Sequence, residues 1–271
     1  MKIGVDGNEV HLSTGGRDHE AGRPFVMFLH GSGFDRHSWP LQSRALAYDG
    51  YNVIAADMPG HGLSAGAPLA GIETQAEWAL KLLDALGAPQ AVLVGHSQGG
   101  LIALEMAKKA PQRVRAIVFI GSAAAIPVNP QLIEQAENDR FAAYANMVDW
   151  AYGPDAHMHE NTWPGASHIH YALQVMSMSD PLALSTDLKS CAAYSGGEEA
   201  ARGLKCPVMC ILASQDKMTP AKAGKALAGL IADCEMHVIA GSGHTLPTER
   251  PREVNALLRA FLSRLDAQAA A

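Results

Sequence analysis

Short apolar runs recur along this chain, and each stops at a polar or turn residue before a segment of helical period begins. The runs are FVMFLH (25–30), NVIAAD (52–57), AVLVGHS (91–97), VRAIVFIGS (114–122), VMCILAS (208–214) and EMHVIAG (235–241). Continuous apolar strands of this length suit a sheet buried on both faces. Between them, TQAEWALKLLDALG (74–87) puts Trp78, Leu82, Leu83 and Leu86 on one helical face and ends at Gly87, a residue type that stops helices. LIALEMAKKA (101–110), AKAGKALAGLI (221–231) and PREVNALLRAFLSRLD (251–266) have similar spacing. Strand and helix in alternation predict an α/β fold, a mostly parallel sheet with helices on both faces.

One region breaks that rhythm. Residues 124–203 carry no clear strand, are rich in Met, His and Trp (Met147, Met158, Met176, Met178, Trp150, Trp163), and hold no Lys or Arg between Arg140 and Lys189. They are expected to form a helical cap inserted into a core made of residues 1–123 and 204–271.

Composition narrows the function classes. Of 271 residues, 48% are hydrophobic and 18% charged, a globular balance. The net charge is −6 and no basic run stands out, which argues against a nucleic-acid partner. No stretch is apolar for long enough to span a membrane, and the first residues lack the apolar core of a secretory signal. A cytoplasmic location is the default expectation. Four Cys are too few for a disulfide framework. Cys206 and Cys210, on one strand, would stand about 13 Å apart at roughly 3.3 Å per residue, too far to share an ion.

The chemistry centres on GHSQGG. Gly95-x-Ser97-x-Gly99 follows an apolar strand and precedes a helix, the setting of a nucleophile elbow. The amide of Gln98 opens that helix, where free N–H groups favour negative charge. A serine needs a base, and among 12 His the context selects His244, in a small-residue loop after the last strand. His61 lies in another loop, but no acid partner for it is evident. Asp216, after the preceding strand, is the acid that can orient His244. All three fall at carboxyl ends of strands, where open α/β sheets build their sites.

These motifs resemble those of α/β-hydrolase-fold enzymes over nearly the whole chain. HGSG (30–33) resembles that family's oxyanion loop, DMPGHGLS (57–64) its Asp-x-x-Gly-x-Gly-x-Ser loop, QDKMTP (215–220) its acid loop, and GSGHTLPTERPREVNALLRAFL its His loop and last helix. The resemblance implies Ser97 as nucleophile, His244 as base and Asp216 as its orienter. It also implies backbone oxyanion donors at Gln98 and Ser32, with Gly33 or Phe34 as substitutes. Asp57 and residues 60–64 would shape a loop.

Departures from relatives discriminate further. Haloalkane dehalogenases and epoxide hydrolases use an Asp nucleophile, where this chain has Ser97. C–C hydrolases of the meta-cleavage type carry Asn before the nucleophile and Trp after the catalytic His, where this chain has His96 and Thr245. The expectation is a serine hydrolase of carboxylic esters, thioesters or lactones without metal or cofactor. C–C hydrolysis, or a lyase or acyltransferase reaction with the same triad, is the alternative. The pairs His157/His159 and His168/His170 would point apart on a helix rather than form a metal site. Trp150, Met147 and Met176 are the candidate pocket residues, and the cation-free cap favours a small, neutral, fairly apolar substrate. The sequence carries no signal for an oligomeric state.

Overall fold

The computed structural model describes residues 1–158, 162 and 165–270. Eight strands form one sheet: β1 (Lys2–Val5), β2 (Asn8–Ser13), β3 (Phe25–Leu29), β4 (Asn52–Ala56), β5 (Ala91–His96), β6 (Val114–Ile120), β7 (Val208–Ala213) and β8 (Glu235–Ile239), in the order β1-β2-β4-β3-β5-β6-β7-β8. From β4 to β8 every pairing is parallel. The exception is an N-terminal hairpin, β1 with β2, which pairs antiparallel to β4. Its turn is Asp6-Gly7, both at positive φ (49° and 79°), the Asp-Gly preference of a two-residue hairpin loop.

Helices α1 (Pro40–Tyr48) and α12 (Pro251–Ala270) cover one face of the sheet, and α2 (Ile72–Ala85), α3 (Gln98–Lys109) and α10 (Ala221–Leu230) cover the other. Side chains alternate along each strand. Val26, Phe28, Val92 and Val94 therefore join Leu46, Leu258 and Leu262 in one cluster, while Met27, Leu29 and Leu93 join Leu82, Leu83 and Leu101 in the other. Burying one such Leu contributes about 1.5–3 kcal/mol. α2 stops where the sequence predicts, with Gly87 at φ 63° and the Ala88 amide donating to the Leu83 carbonyl at 2.9 Å. The edge strand β8 departs from the two-sided burial expected of it. Met236 and Val238 are 43% and 45% exposed, because no strand lies beyond it and one face stays partly open.

Between β6 and β7 lie α4 (Pro130–Asn138), α5 (Arg140–Ala151), α6 (Pro154–His157), α7 (His168–Ser177), α8 (Ala183–Ala193) and α9 (Gly197–Gly203). Helices α4 to α8 have an apolar cluster of their own around Leu132, Tyr144, Met147, Met176 and Leu184. Ala200 and Ala201 of α9 instead join the cluster around α2 and α3. Short α11 (Leu246–Glu249) links the loop after β8 to α12.

Candidate active site

Ser97 stands between β5 and α3 at φ 53°, ψ −121°, a conformation that costs a non-glycine residue about 1–3 kcal/mol. Three hydrogen bonds hold it there. Its amide donates to Ile120 O at 3.0 Å, and its carbonyl accepts from the Gly100 amide at 2.9 Å and from Ser122 Oγ at 2.8 Å. The flanking glycines are a steric requirement. A Cβ on Gly95 would stand 2.4 Å from Gly99 O, and one on Gly99 would stand 2.1 Å from Leu29 O.

The loops after β7 and β8 bring together two residues 28 positions apart. His244 Nδ1 donates to Asp216 Oδ2 at 2.8 Å, and Asp216 Oδ1 accepts from the amides of Met218 and Thr219 at 2.8 and 2.7 Å. With its proton on Nδ1, the His244 ring presents an Nε2 lone pair. His96, next to Ser97, props the same loop. Its Nε2–H donates to the His244 carbonyl at 2.9 Å, and the two rings lie 4.6 Å apart. Burial, then the His244 charge, push His96 down to about 3, so it stays neutral.

The loop after β3 is also fixed by a neutral imidazole. His30 Nδ1–H donates to Gly31 O at 3.0 Å, and Nε2 accepts from the Met58 amide at 3.3 Å. Burial and the nearby His61 charge push it down to about 4. Among the described residues, the amides of Ser32 and Gln98 have no protein acceptor. The substitutes expected at Gly33 and Phe34 are corrected by the structure. The Gly33 amide is engaged by Asp187 Oδ2 at 2.8 Å and the Phe34 amide by Gly31 O at 3.2 Å.

Asp187, on α8, is a residue that sequence reasoning missed. It is fully buried and supplies the acid partner that His61 lacked in sequence, with His61 Nε2 at 2.9 Å from its Oδ2. Gln98 Nε2 also donates to Asp187 Oδ1 at 3.1 Å. Burial opposes the charge on both members of this pair. The Asp187 charge and hydrogen bond nevertheless hold His61 above its ordinary value, and the His61 charge with the Gly33 and Gln98 donors holds Asp187 below its own. No local pattern announces the pair, which joins positions 126 apart. Asp57 shapes its loop as expected, accepting from the Arg36 and Leu63 amides at 2.9 and 3.0 Å and from the Arg36 guanidinium.

A cavity of about 190 Å³ adjoins these groups. Ser32, Ser97 and His244 line it together with Met147, Trp150 and Leu188 from the inserted helices. Met176 does not line it. That side chain is fully buried in the inserted helices' own apolar cluster and reaches the Gly33 loop instead. Lys217 also lines the cavity; it comes from the Asp216 loop, outside the cation-free span of the sequence.

The His168/His170 pair does not converge on one site. His168 is buried and His170 exposed on α7, while His159, like Trp163, lies outside the described residues. Among the described residues, no three His, Cys, Asp or Glu side chains are grouped to hold a metal ion, and no helix is long and apolar enough to cross a membrane. All four Cys are free. The Cys210 thiol lies 3.5 Å from that of Cys234 rather than beside Cys206.

The chain belongs to the alpha/beta hydrolase fold family, whose model matches residues 24–251. It is 31% identical to a 2-hydroxymuconate semialdehyde hydrolase of Pseudomonas sp. (strain CF600) across 93% of this chain and 91% of that protein. It is 45% identical, over 38% of its own length, to the dihydrolipoyllysine-residue acetyltransferase component of the acetoin cleaving system of Pseudomonas putida. That match spans only 28% of the larger protein. Among solved structures, the enol-lactonase from Burkholderia xenovorans LB400 superposes with a TM-score of 0.87 at 23% identity, covering 97% of this chain and 100% of the other.

Proposed function

We propose that this enzyme hydrolyses a carboxylic ester, thioester or lactone through an acyl-enzyme on Ser97. The observation that carries the reading is the His244–Asp216 hydrogen bond at 2.8 Å, with His244 on the lining of the same cavity as Ser97. His244 Nε2 takes the Ser97 hydroxyl proton as Oγ attacks the carbonyl carbon. The amides of Ser32 and Gln98 stabilise the oxyanion, and the imidazolium returns its proton to the leaving oxygen or sulfur. Water, deprotonated by His244, then attacks the acyl-enzyme and releases the acid and free Ser97.

In this reading residues 124–203 act as a helical cap on a core of 1–123 and 204–271. The apolar side chains Leu132, Met147, Trp150 and Leu188 on the cavity lining support a neutral, fairly apolar acyl group. Four free thiols fit a reducing compartment such as the cytoplasm. Replacing Ser97 by Ala is expected to lower p-nitrophenyl ester turnover by about 10⁴-fold or more. Undiminished turnover in that variant would overturn the reading.

A second reading is C–C bond hydrolysis, supported by the near-full-length likeness to the 2-hydroxymuconate semialdehyde hydrolase. His96 and Thr245 stand where that group carries Asn and Trp, which favours the first reading. Incubation with 2-hydroxymuconate semialdehyde, beside a panel of esters graded by acyl length, separates the two. Hydrolysis in isotopic water separates both from acyl transfer, since only hydrolysis places solvent oxygen in the acid.

A further inference from the structure

The residues that carry the two oxyanion amides are joined by a buried side-chain circuit. Ser32 Oγ–H donates to Gln98 Oε1 at 2.7 Å, Gln98 Nε2 donates to Asp187 Oδ1 at 3.1 Å, and Asp187 Oδ2 accepts from the Gly33 amide at 2.8 Å. Gly33 follows Ser32 in the chain, so the circuit closes on the loop where it began. Gln75 Oε1 takes a further Gln98 Nε2 bond at 2.8 Å, and His61 Nε2 meets Asp187 at 2.9 Å. One carboxylate on an inserted helix thus gathers donors from the loop after β3, the loop after β4 and the first residue of α3. The next residue along that helix, Leu188, lines the cavity.

We infer that Asp187 is the positioning residue of the oxyanion hole, through which the inserted helices set the direction of the Ser32 and Gln98 amides. The inference rests on the serine-hydrolase reading above. A hole works when its donors point at the oxyanion before the charge develops. The backbone of Ser32 lies in a loop, and a loop amide keeps its direction only if neighbouring groups hold it. The Gly33 bond does this for the peptide after Ser32. The Gln98 side-chain bonds do it for the residue whose own amide is the second donor. Asp187 is not on the cavity lining and bonds to Gly33, Gln98 and His61, so its effect is confined to how well the hole fits the transition state.

The test compares wild type with Asp187→Asn, using p-nitrophenyl butyrate, butyrate as product, and a butyl trifluoromethyl ketone. The hemiketal that this ketone forms with Ser97 places an oxyanion in the hole. Asn keeps the shape of the side chain but turns one acceptor into a donor facing other donors. The expected result is a fall in kcat of about 10²–10³-fold, the size seen when one oxyanion donor is lost. The Ki of the ketone should rise by a similar factor, while KM and the Ki of butyrate change less than about threefold.

Two outcomes overturn the inference. One is an unchanged kcat and ketone Ki. The other is a parallel loss of butyrate binding and KM, which would mean general damage to the site. If Asp187→Asn does not fold, Gln98→Leu is read by the same criteria, because it cuts the circuit and leaves the Asp187–His61 pair intact. Wild type that neither turns over esters nor reacts with a fluorophosphonate at Ser97 overturns the hydrolase reading itself. An active wild type matched by its variants overturns only the role of Asp187.

Discussion

The backbone amide of His244 donates to the carbonyl of Ala151 at 2.6 Å, which ties the imidazole loop to the last residue of α5. Glu249, also buried, reinforces the junction from the other side. Its Oε2 accepts from the amides of Gly153 and Gly243 at 2.9 and 3.0 Å, and its Oε1 accepts from Thr245 Oγ at 2.7 Å. The inserted helices and the core loop on either side of His244 are therefore one hydrogen-bonded unit.

Removing that carboxylate should loosen the loop as well as the fold. Glu249→Ala strands buried donors at Gly153, Gly243 and Thr245, each costing about 1–3 kcal/mol when unsatisfied. A loss of about 3 kcal/mol is expected in urea unfolding. Ester turnover should fall along with it, as His244 loses its fixed position; an unchanged urea midpoint would contradict this account.

The Asp216–His244 bond makes a separate prediction. Asp216→Asn can no longer hold His244 with its proton on Nδ1, and kcat should drop about 10⁴-fold, as when a triad acid is lost elsewhere. The fold should survive, because the side-chain oxygen can still accept from Met218 and Thr219. Circular dichroism and steady-state kinetics on one preparation check both halves.

Stability should depend on pH from both sides of the ordinary histidine value of 6.5. His30 and His96 are pushed down to about 4 and about 3 in the folded chain. The unfolded chain therefore takes up protons first as pH falls below 6.5. Each ring then costs about 1.4 kcal/mol per pH unit until its folded value is reached. His61 has the opposite sign. Its value is raised, so its contribution is complete below 6.5 and is lost as pH rises through the folded value. Asp187, held below 3.8, contributes above that value and loses its effect under stronger acid. Urea midpoints measured from acid to alkaline pH should pass through a maximum, and His61→Gln should flatten the alkaline limb.

Trp150 is 38% exposed and lines the cavity, so it can contact an acyl chain without supporting the core. Trp150→Ala is expected to raise KM for long-chain esters about tenfold or more, from the loss of about 1.5–3 kcal/mol of apolar contact. Acetate esters should be little affected, and kcat should hold for both. A uniform change across acyl lengths would place Trp150 outside the acyl path.

Much of this molecule is legible in one dimension. Continuous apolar runs and helical spacing reported β3 to β8 and the helices α2, α3, α10 and α12, because strand and helix periods are local properties of the chain. The Asp6-Gly7 hairpin was not among the strands read from apolar runs, because β1 and β2 are short and half exposed, although its turn dipeptide is a local signal. The strand–turn–helix at Ser97 was readable for a related reason. Gly95 and Gly99 are demanded by contacts that any strand–turn–helix of this kind creates, and Asp216 and His244 each follow a recognisable strand.

What the tertiary structure alone decided has no period and no motif. Asp187 sits in the unremarked stretch STDLKS of α8, and it matters because folding brings it against His61, Gly33 and Gln98. The same contact engages the Gly33 amide, which the sequence left as a candidate donor. Lys217 reaches the cavity because its loop lies at a strand end facing the inserted helices, and Met176 is withheld from it by packing in their cluster. A buried carboxylate finds its donors through space, and sequence separation holds no trace of that meeting.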